Sequence, residues 1–170
     1  RKLIYGENTW NEAKAWVSDG NSFALMGDGT NAFIYKFYVN NLEAKNCYRI
    51  SSSVATDVLS ADFYAFSSTR SVLFYVKNNT LYAYNYDIGN ERVDMIPLET
   101  TDEITMLKFD LTMEPMKDAL YIATYSAIEG GSLRKYYVGN NPDKVELKSD
   151  PKAVWKGLTK VKNMSWRALL

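Results

Sequence analysis

Apolar positions along this chain gather into short runs that recur at a spacing of roughly fifty residues, within the range of repeat and propeller architectures. The clearest copy is Ser71-Val72-Leu73-Phe74-Tyr75-Val76, a polar turn at Lys77-Asn78-Asn79, the run from Thr80 to Asp87, and Val93-Asp94-Met95-Ile96. A second copy occupies residues 119–123, Gly130-Gly131, 132–138 and 145–147, and a third occupies 22–26, Gly27-Asp28-Gly29-Thr30, 33–39 and 47–50. Each run is rich in Tyr, Phe, Val, Ile and Leu, and the gaps carry Asn, Gly and Asp, which accept positive backbone angles cheaply. That is the pattern of an antiparallel meander. A further apolar strand precedes two of the copies, at residues 61–66 and 104–109.

The pattern predicts an all-β chain of β-propeller-like, repeated four-stranded antiparallel blades. Residues 58–97 form one blade, 104–148 another, and 22–50 the later three strands of a preceding one. The spacing of Ile104, Leu107 and Phe109 returns at Val161, Met164 and Trp166, which makes the last segment the opening strand of a further blade. Three blades fall below the usual minimum of about four, so an incomplete ring is expected, with the remaining blades elsewhere in the same protein. A β-sandwich of the same strands is the alternative, because local alternation does not establish radial placement. One domain covers residues 1–170, with 1–20 as an N-terminal connecting segment. There Thr9-Trp10-Asn11-Glu12 has capping-box spacing, and Trp10, Ala13 and Val17 line one face of a short helix. Pro151 predicts a loop before the last strand.

Composition narrows the chemistry. Twenty basic residues balance twenty acidic ones, so no global field favours nucleic acid, and the lysines at 152, 156, 160 and 162 read as a solvated or protected edge. No apolar run is long enough to span a membrane. The chain has no histidine, which removes the commonest general base and metal ligand. Its single cysteine, Cys47, forms neither an internal disulfide nor a cysteine metal site and reads as a small buried hydrophobe. The start at Arg1 reads as processed or trimmed. Asn78-Asn79-Thr80 and Asn163-Met164-Ser165 match the glycosylation sequon, the first coinciding with an expected hairpin turn.

The run from Phe63 to Ser68, with Val72 to Tyr86 after it, resembles the propeller portion of PKD-like family lipoproteins from Bacteroidetes. Segments 103–109 and 155–161 are similar to the corresponding first strands of blades. The resemblance covers most of the chain after about residue 20. It implies the C-terminal part of an exported, lipid-anchored protein of the cell envelope, at the outer membrane or cell surface, with immunoglobulin-like modules upstream. It also implies an accessory role often associated with glycan uptake, and carries over no catalytic residue.

Thirteen tyrosines and four tryptophans raise carbohydrate stacking as a function. Tyr75, Tyr82, Tyr84 and Tyr121 lie inside the strand patterns and are expected to pack between blades. Trp10, Trp16 and Trp155 lie outside them and are the candidate ligand-binding residues. Gly27-Asp28-Gly29-Thr30 offers one carboxylate, too few for a calcium cage, and reads as a hairpin turn. Asp57, Asp62, Glu99, Asp102 and Glu103 gather near the starts of blades, where a complementary pair would serve glycosidic cleavage. The expected function is a non-catalytic binding module that recognises a glycan or an envelope protein through blade loops, without cofactor or metal. The alternatives are a fragment of a propeller glycosidase or lyase, and a purely structural assembly module.

Overall fold

A computed structural model describes residues 12–18, 22–27, 30–37, 48–67, 70–109, 119–139 and 141–164. For 12–18 the description is of the backbone alone. The chain is all-β. Among the described residues twelve strands form three four-stranded antiparallel sheets, each a meander with its strands in chain order. The first holds β1 (Glu12–Ser18), β2 (Ser22–Gly27), β3 (Ala32–Phe37) and β4 (Tyr48–Arg49). A 3-10 turn at Thr56–Ser60 leads to the second: β5 (Phe63–Phe66), β6 (Val72–Lys77), β7 (Thr80–Asn85) and β8 (Arg92–Ile96). The third holds β9 (Glu103–Phe109), β10 (Ala119–Ser126), β11 (Gly130–Val138) and β12 (Leu147–Leu158). No sheet closes on itself among the described residues.

The β6–β7 hairpin forms where the residue pattern places it. Lys77 pairs with Thr80, and Asn78 and Asn79 between them take φ of 52° and 56°. Two successive positive φ values suit the right-handed twist of the flanking strands, and asparagine tolerates them better than most residues. The Asn79 side chain also joins two sheets. Its Oδ1 accepts the Ile104 N–H at 2.7 Å, and its Nδ2 donates to the Asp102 carbonyl at 3.2 Å.

Side-chain alternation then decides which faces meet. On β6, Val72, Phe74 and Val76 enter a cluster with Leu107, Phe109, Leu120 and Ile122 of the third sheet. Leu73 and Tyr75 point the other way, into a cluster with Phe23, Leu25 and Ile34 of the first sheet. The centre of the second sheet is therefore buried on both faces, which is why β6 reads as a continuous apolar run rather than an alternating one. Stacked rings cross both boundaries: Phe23 on Phe66 at 5.3 Å, and Phe74 on Phe109 at 6.4 Å. The backbones of neighbouring sheets come closest at their first strands, β1 beside β5 and β5 beside β9.

Three expectations are corrected. Glu12–Ser18 is strand β1, paired to β2 with an irregularity between Lys14 and Trp16, where the capping-box spacing predicted a helix. Pairing to β2 outweighs a local helix signal in a segment this short. The first sheet thus has its own first strand. Pro151 lies inside β12, where the pairing register shifts and residues 150–153 bulge outward opposite Lys135. A bulge leaves ladder positions unpaired, so the missing N–H is tolerated. Residues 159–164 form no strand. They cross the outer face of the third sheet so closely that a Cβ on Gly131 would lie 2.0 Å from the Thr159 carbonyl oxygen. Trp166, Cys47 and the Asp28-Gly29 pair lie outside the described residues.

Two substitutions test this packing. Phe74 is fully buried, so Phe74→Ala is expected to lower stability by about 3–5 kcal/mol, read as a reduced urea midpoint with an unchanged slope. Thr105 is the extra residue of a bulge on β9, and its buried Oγ1 has no hydrogen-bond partner among the described residues. Thr105→Val keeps the shape and removes that hydroxyl, so it is expected to leave the midpoint unchanged or raise it by an amount equivalent to about 1 kcal/mol. A clear loss would mean the hydroxyl has a partner.

Candidate functional site

The first and second sheets cover one another, as do the second and third, which leaves the outer faces of the first and third. On the first, Ala24, Met26 and Tyr35 are buried, and the third has the open face. Its composition follows from register. In β10 and β11, Tyr121 opposes Lys135, Ala123 opposes Leu133 and Ala119 opposes Tyr137, and directly opposed residues share a face. Leu120 and Ile122 point into the core, so Tyr121, Leu133, Lys135 and Tyr137 point outward. Trp155 on β12 opposes Leu133 and joins them. On the other side, Lys108 of β9 opposes Tyr121. The result is a flat patch of aromatic rings with ammonium groups between them.

Lys135 is held between two rings, 5.7 Å from the centroid of Tyr121 and 5.2 Å from that of Tyr137. Burial works against its charge, but the two tyrosines outweigh it and raise its pKa above the ordinary lysine value. Tyr137 donates its hydroxyl hydrogen to Asp150 Oδ2 at 3.2 Å, on the bulge that contains Pro151. Toward the other end, Lys160 pairs with Glu103 at 3.2 Å and lies over Tyr125. Lys108 bonds to Asn163 and to the Met164 carbonyl. The chain after β12 thus covers the β9 side of this face. The Trp155 side remains open, and Trp155 is 46% exposed.

The sequence-predicted residues fall as follows. Trp155 is exposed but belongs to a regular strand. Trp16 lies on β1, where only the backbone is described, and Trp10 lies outside the described residues. Tyr75 and Tyr84 are buried between the first and second sheets, Tyr82 packs against the same cluster, and Tyr75 stacks on Tyr82 at 5.2 Å. Tyr121 is the exception, facing outward beside Lys135. Leu133, Lys135 and Tyr137 were not singled out from the sequence. Their alternation in β11 marks a common face, but which face meets the core is set by register.

Among the candidate carboxylates, Asp57 pairs with Lys77 at 3.6 Å. Glu99 pairs with Arg134 at 3.3 Å and accepts the Tyr136 hydroxyl at 2.7 Å, and Glu103 pairs with Lys160. No group of three or more acidic, histidine or cysteine side chains able to hold a metal ion occurs among the described residues. No helix among them is long and apolar enough to cross a membrane. No protein-family model matches the chain, and neither a curated protein nor a solved structure matches it.

The buried tyrosines have a measurable consequence. Burial, with Asp57 adding to it, raises the Tyr75 pKa to about 12, while burial raises those of Tyr86 and Tyr136 in the same direction. A phenol whose folded pKa lies above its unfolded value contributes stability that is complete below pH 10 and lost as pH rises toward 12. Alkaline titration is therefore expected to show cooperative unfolding in that window, with the phenolate absorbance of the buried tyrosines rising together with the change in circular dichroism. Full phenolate absorbance before unfolding would contradict the burial.

Proposed function

We propose that the three sheets are successive blades of a propeller-type array, and that the protein is a non-catalytic binding module that recognises a glycan on the outer face of the third sheet. The observation that carries the reading is the exposed Trp155 indole beside Leu133, on one open face with Tyr121, Lys135 and Tyr137. Flat aromatic rings stack on the apolar faces of sugars, and the polar edges and ammonium groups between them bond hydroxyls. The meeting of β1, β5 and β9 supports the radial arrangement, since propeller blades converge at their first strands. A non-catalytic role is supported by the carboxylates. Asp57, Glu99 and Glu103 each have a separate cation, whereas glycosidic cleavage uses two carboxylates flanking one bond. Placement in the cell envelope rests on the resemblance to PKD-like lipoproteins.

One observation favours a second reading, in which this face receives another sheet. Counted from their hairpins, Ala83 of β7 corresponds to Leu133 of β11, and their cross-strand partners are Asp94 and Trp155. Asp94 already contacts the next sheet, accepting the Val145 N–H at 2.9 Å. Trp155 thus occupies the position through which the second sheet meets the third, and the blades elsewhere in the same protein would dock there.

Glycan-array binding and light scattering with Trp155→Ala separate the two. The glycan reading expects a monodisperse protein whose binding weakens about tenfold on loss of the ring, with unchanged thermal unfolding. Unchanged binding overturns it. Concentration-dependent self-association that Trp155→Ala abolishes supports the docking reading instead.

A further inference from the structure

At the end of the sheets opposite the Asn78-Asn79 turn, the β5–β6, β7–β8 and β11–β12 loops enclose a cleft of about 340 Å³ between the second and third sheets. Two arginines hold its walls together. Arg70 Nη1 donates to the Gly139 carbonyl at 2.9 Å, and Arg92 Nη1 donates to the Pro142 carbonyl at 3.2 Å. Arg92 Nε is fixed by Asp94 Oδ2 at 3.1 Å, and that oxygen also accepts the Val145 N–H from across the cleft. The lining is therefore set by bonds between the sheets before any ligand arrives, which reduces the ordering cost of binding.

Several lining groups have hydrogen-bonding capacity that the described residues do not use. The second Nη group of Arg92 and the Nδ2 groups of Asn85 and Asn141 have no partner among the described residues. Lys144, largely exposed, bonds among the described residues only to Glu146, at 3.3 Å. Among the acceptors that face these donors is the Asp87 carboxylate, whose Oδ2 accepts from Asn90 Nδ2 at 3.1 Å. Arg92 and Lys144 keep N–H donors beyond those committed to Asp94 and Glu146, and a neutral polyol offers them only uncharged acceptors. A bare phosphate would in turn face the charges of Asp87, Asp94 and Glu146. A sugar ring bearing one carboxylate satisfies both sides: its carboxylate meets Arg92 and Lys144, and its hydroxyls meet Asn85, Asn141 and Asp87. The volume is at the low end for ligand sites and suits a single ring.

We infer that this cleft is a binding site for an acidic sugar residue, a hydroxylated ring with one carboxylate. The inference rests on the reading of the protein as a glycan-binding module and adds a second subsite, on the opposite face of the third sheet from Trp155. Isothermal titration of the full chain with D-galacturonate is expected to give saturable binding. D-Galactose should bind at least about tenfold more weakly, as should acetate. Arg92→Gln and Lys144→Ala should each weaken galacturonate about tenfold, while Trp155→Ala leaves it unchanged. If Arg92→Gln perturbs folding, the exposed Lys144 carries the test. Tighter binding of a short oligogalacturonide than of the monomer identifies a polymer-linked sugar as the source, and equal binding identifies the free sugar acid. Equal affinity for galactose, equal affinity for acetate, or full retention of binding by folded Arg92 and Lys144 variants overturns the inference. Absence of galacturonate binding with Trp155-dependent glycan binding intact overturns the cleft alone.

Discussion

Between the first and third sheets, β6 sends alternate side chains into two separate apolar clusters, and the rest of the fold depends on that division. Each fully buried Leu, Val or Phe side chain contributes about 1.5–3 kcal/mol relative to exposure. The surface ion pairs, such as Lys77 with Asp57 and Lys144 with Glu146, are worth about 0–1 kcal/mol each. The clusters therefore decide whether the sheets stay together. Polar contacts refine the alignment from both ends, with Asn79 joining the second and third sheets at one end and Arg70, Arg92 and Asp94 joining them at the other.

How much of this was legible in the sequence varied with distance along the chain. The β6–β7 hairpin was readable because its cause is local: two asparagines at positive φ between runs of strand-forming residues. The opening strands β5 and β9 were readable for a similar reason, since each is a compact run of strand-forming residues ahead of its hairpin. β1 was not, because Thr9-Trp10-Asn11-Glu12 carries a helix-start spacing and the ladder to β2 that overrides it is a nonlocal contact. The continuation of β12 through Pro151 was hidden as well. Proline ordinarily ends a strand, and only the register shift opposite β11 shows that its N–H was not needed. The match of Val161 and Met164 to the spacing of β9 reflects apolar periodicity without a neighbouring sheet to pair with among the described residues.

Residue type was less informative for the candidate site than position. Tyr75, Tyr84, Tyr121 and Tyr137 look alike in sequence. The first two are buried between sheets, and the last two face outward beside Lys135. What separates them is whether another sheet lies on their side, and alternation cannot supply that. Trp155 was chosen as a residue outside the strands. It is exposed for a different reason, as a strand residue on the last sheet of the stack. The cleft was harder still to foresee, because its arginines and asparagines come from strand ends and loops far apart in the chain and none forms a recognisable local motif.

These two surfaces follow from one geometric fact. Stacked sheets consume their apolar faces in pairs, so recognition chemistry collects where pairing stops: the outer face of the third sheet and the loop ends between sheets. The two places differ in what they can discriminate. A flat face of rings and ammonium groups selects by stacking and general charge, and it tolerates variation in the partner. The cleft holds Arg92 with bonds to Asp94 and Pro142, which fixes the direction of its remaining donors. Rigid, directional donors therefore penalise a ligand that lacks the matching acceptor more than a flat face does. In the proposed reading the outer face supplies contact area, and the inter-sheet cleft supplies chemical selectivity.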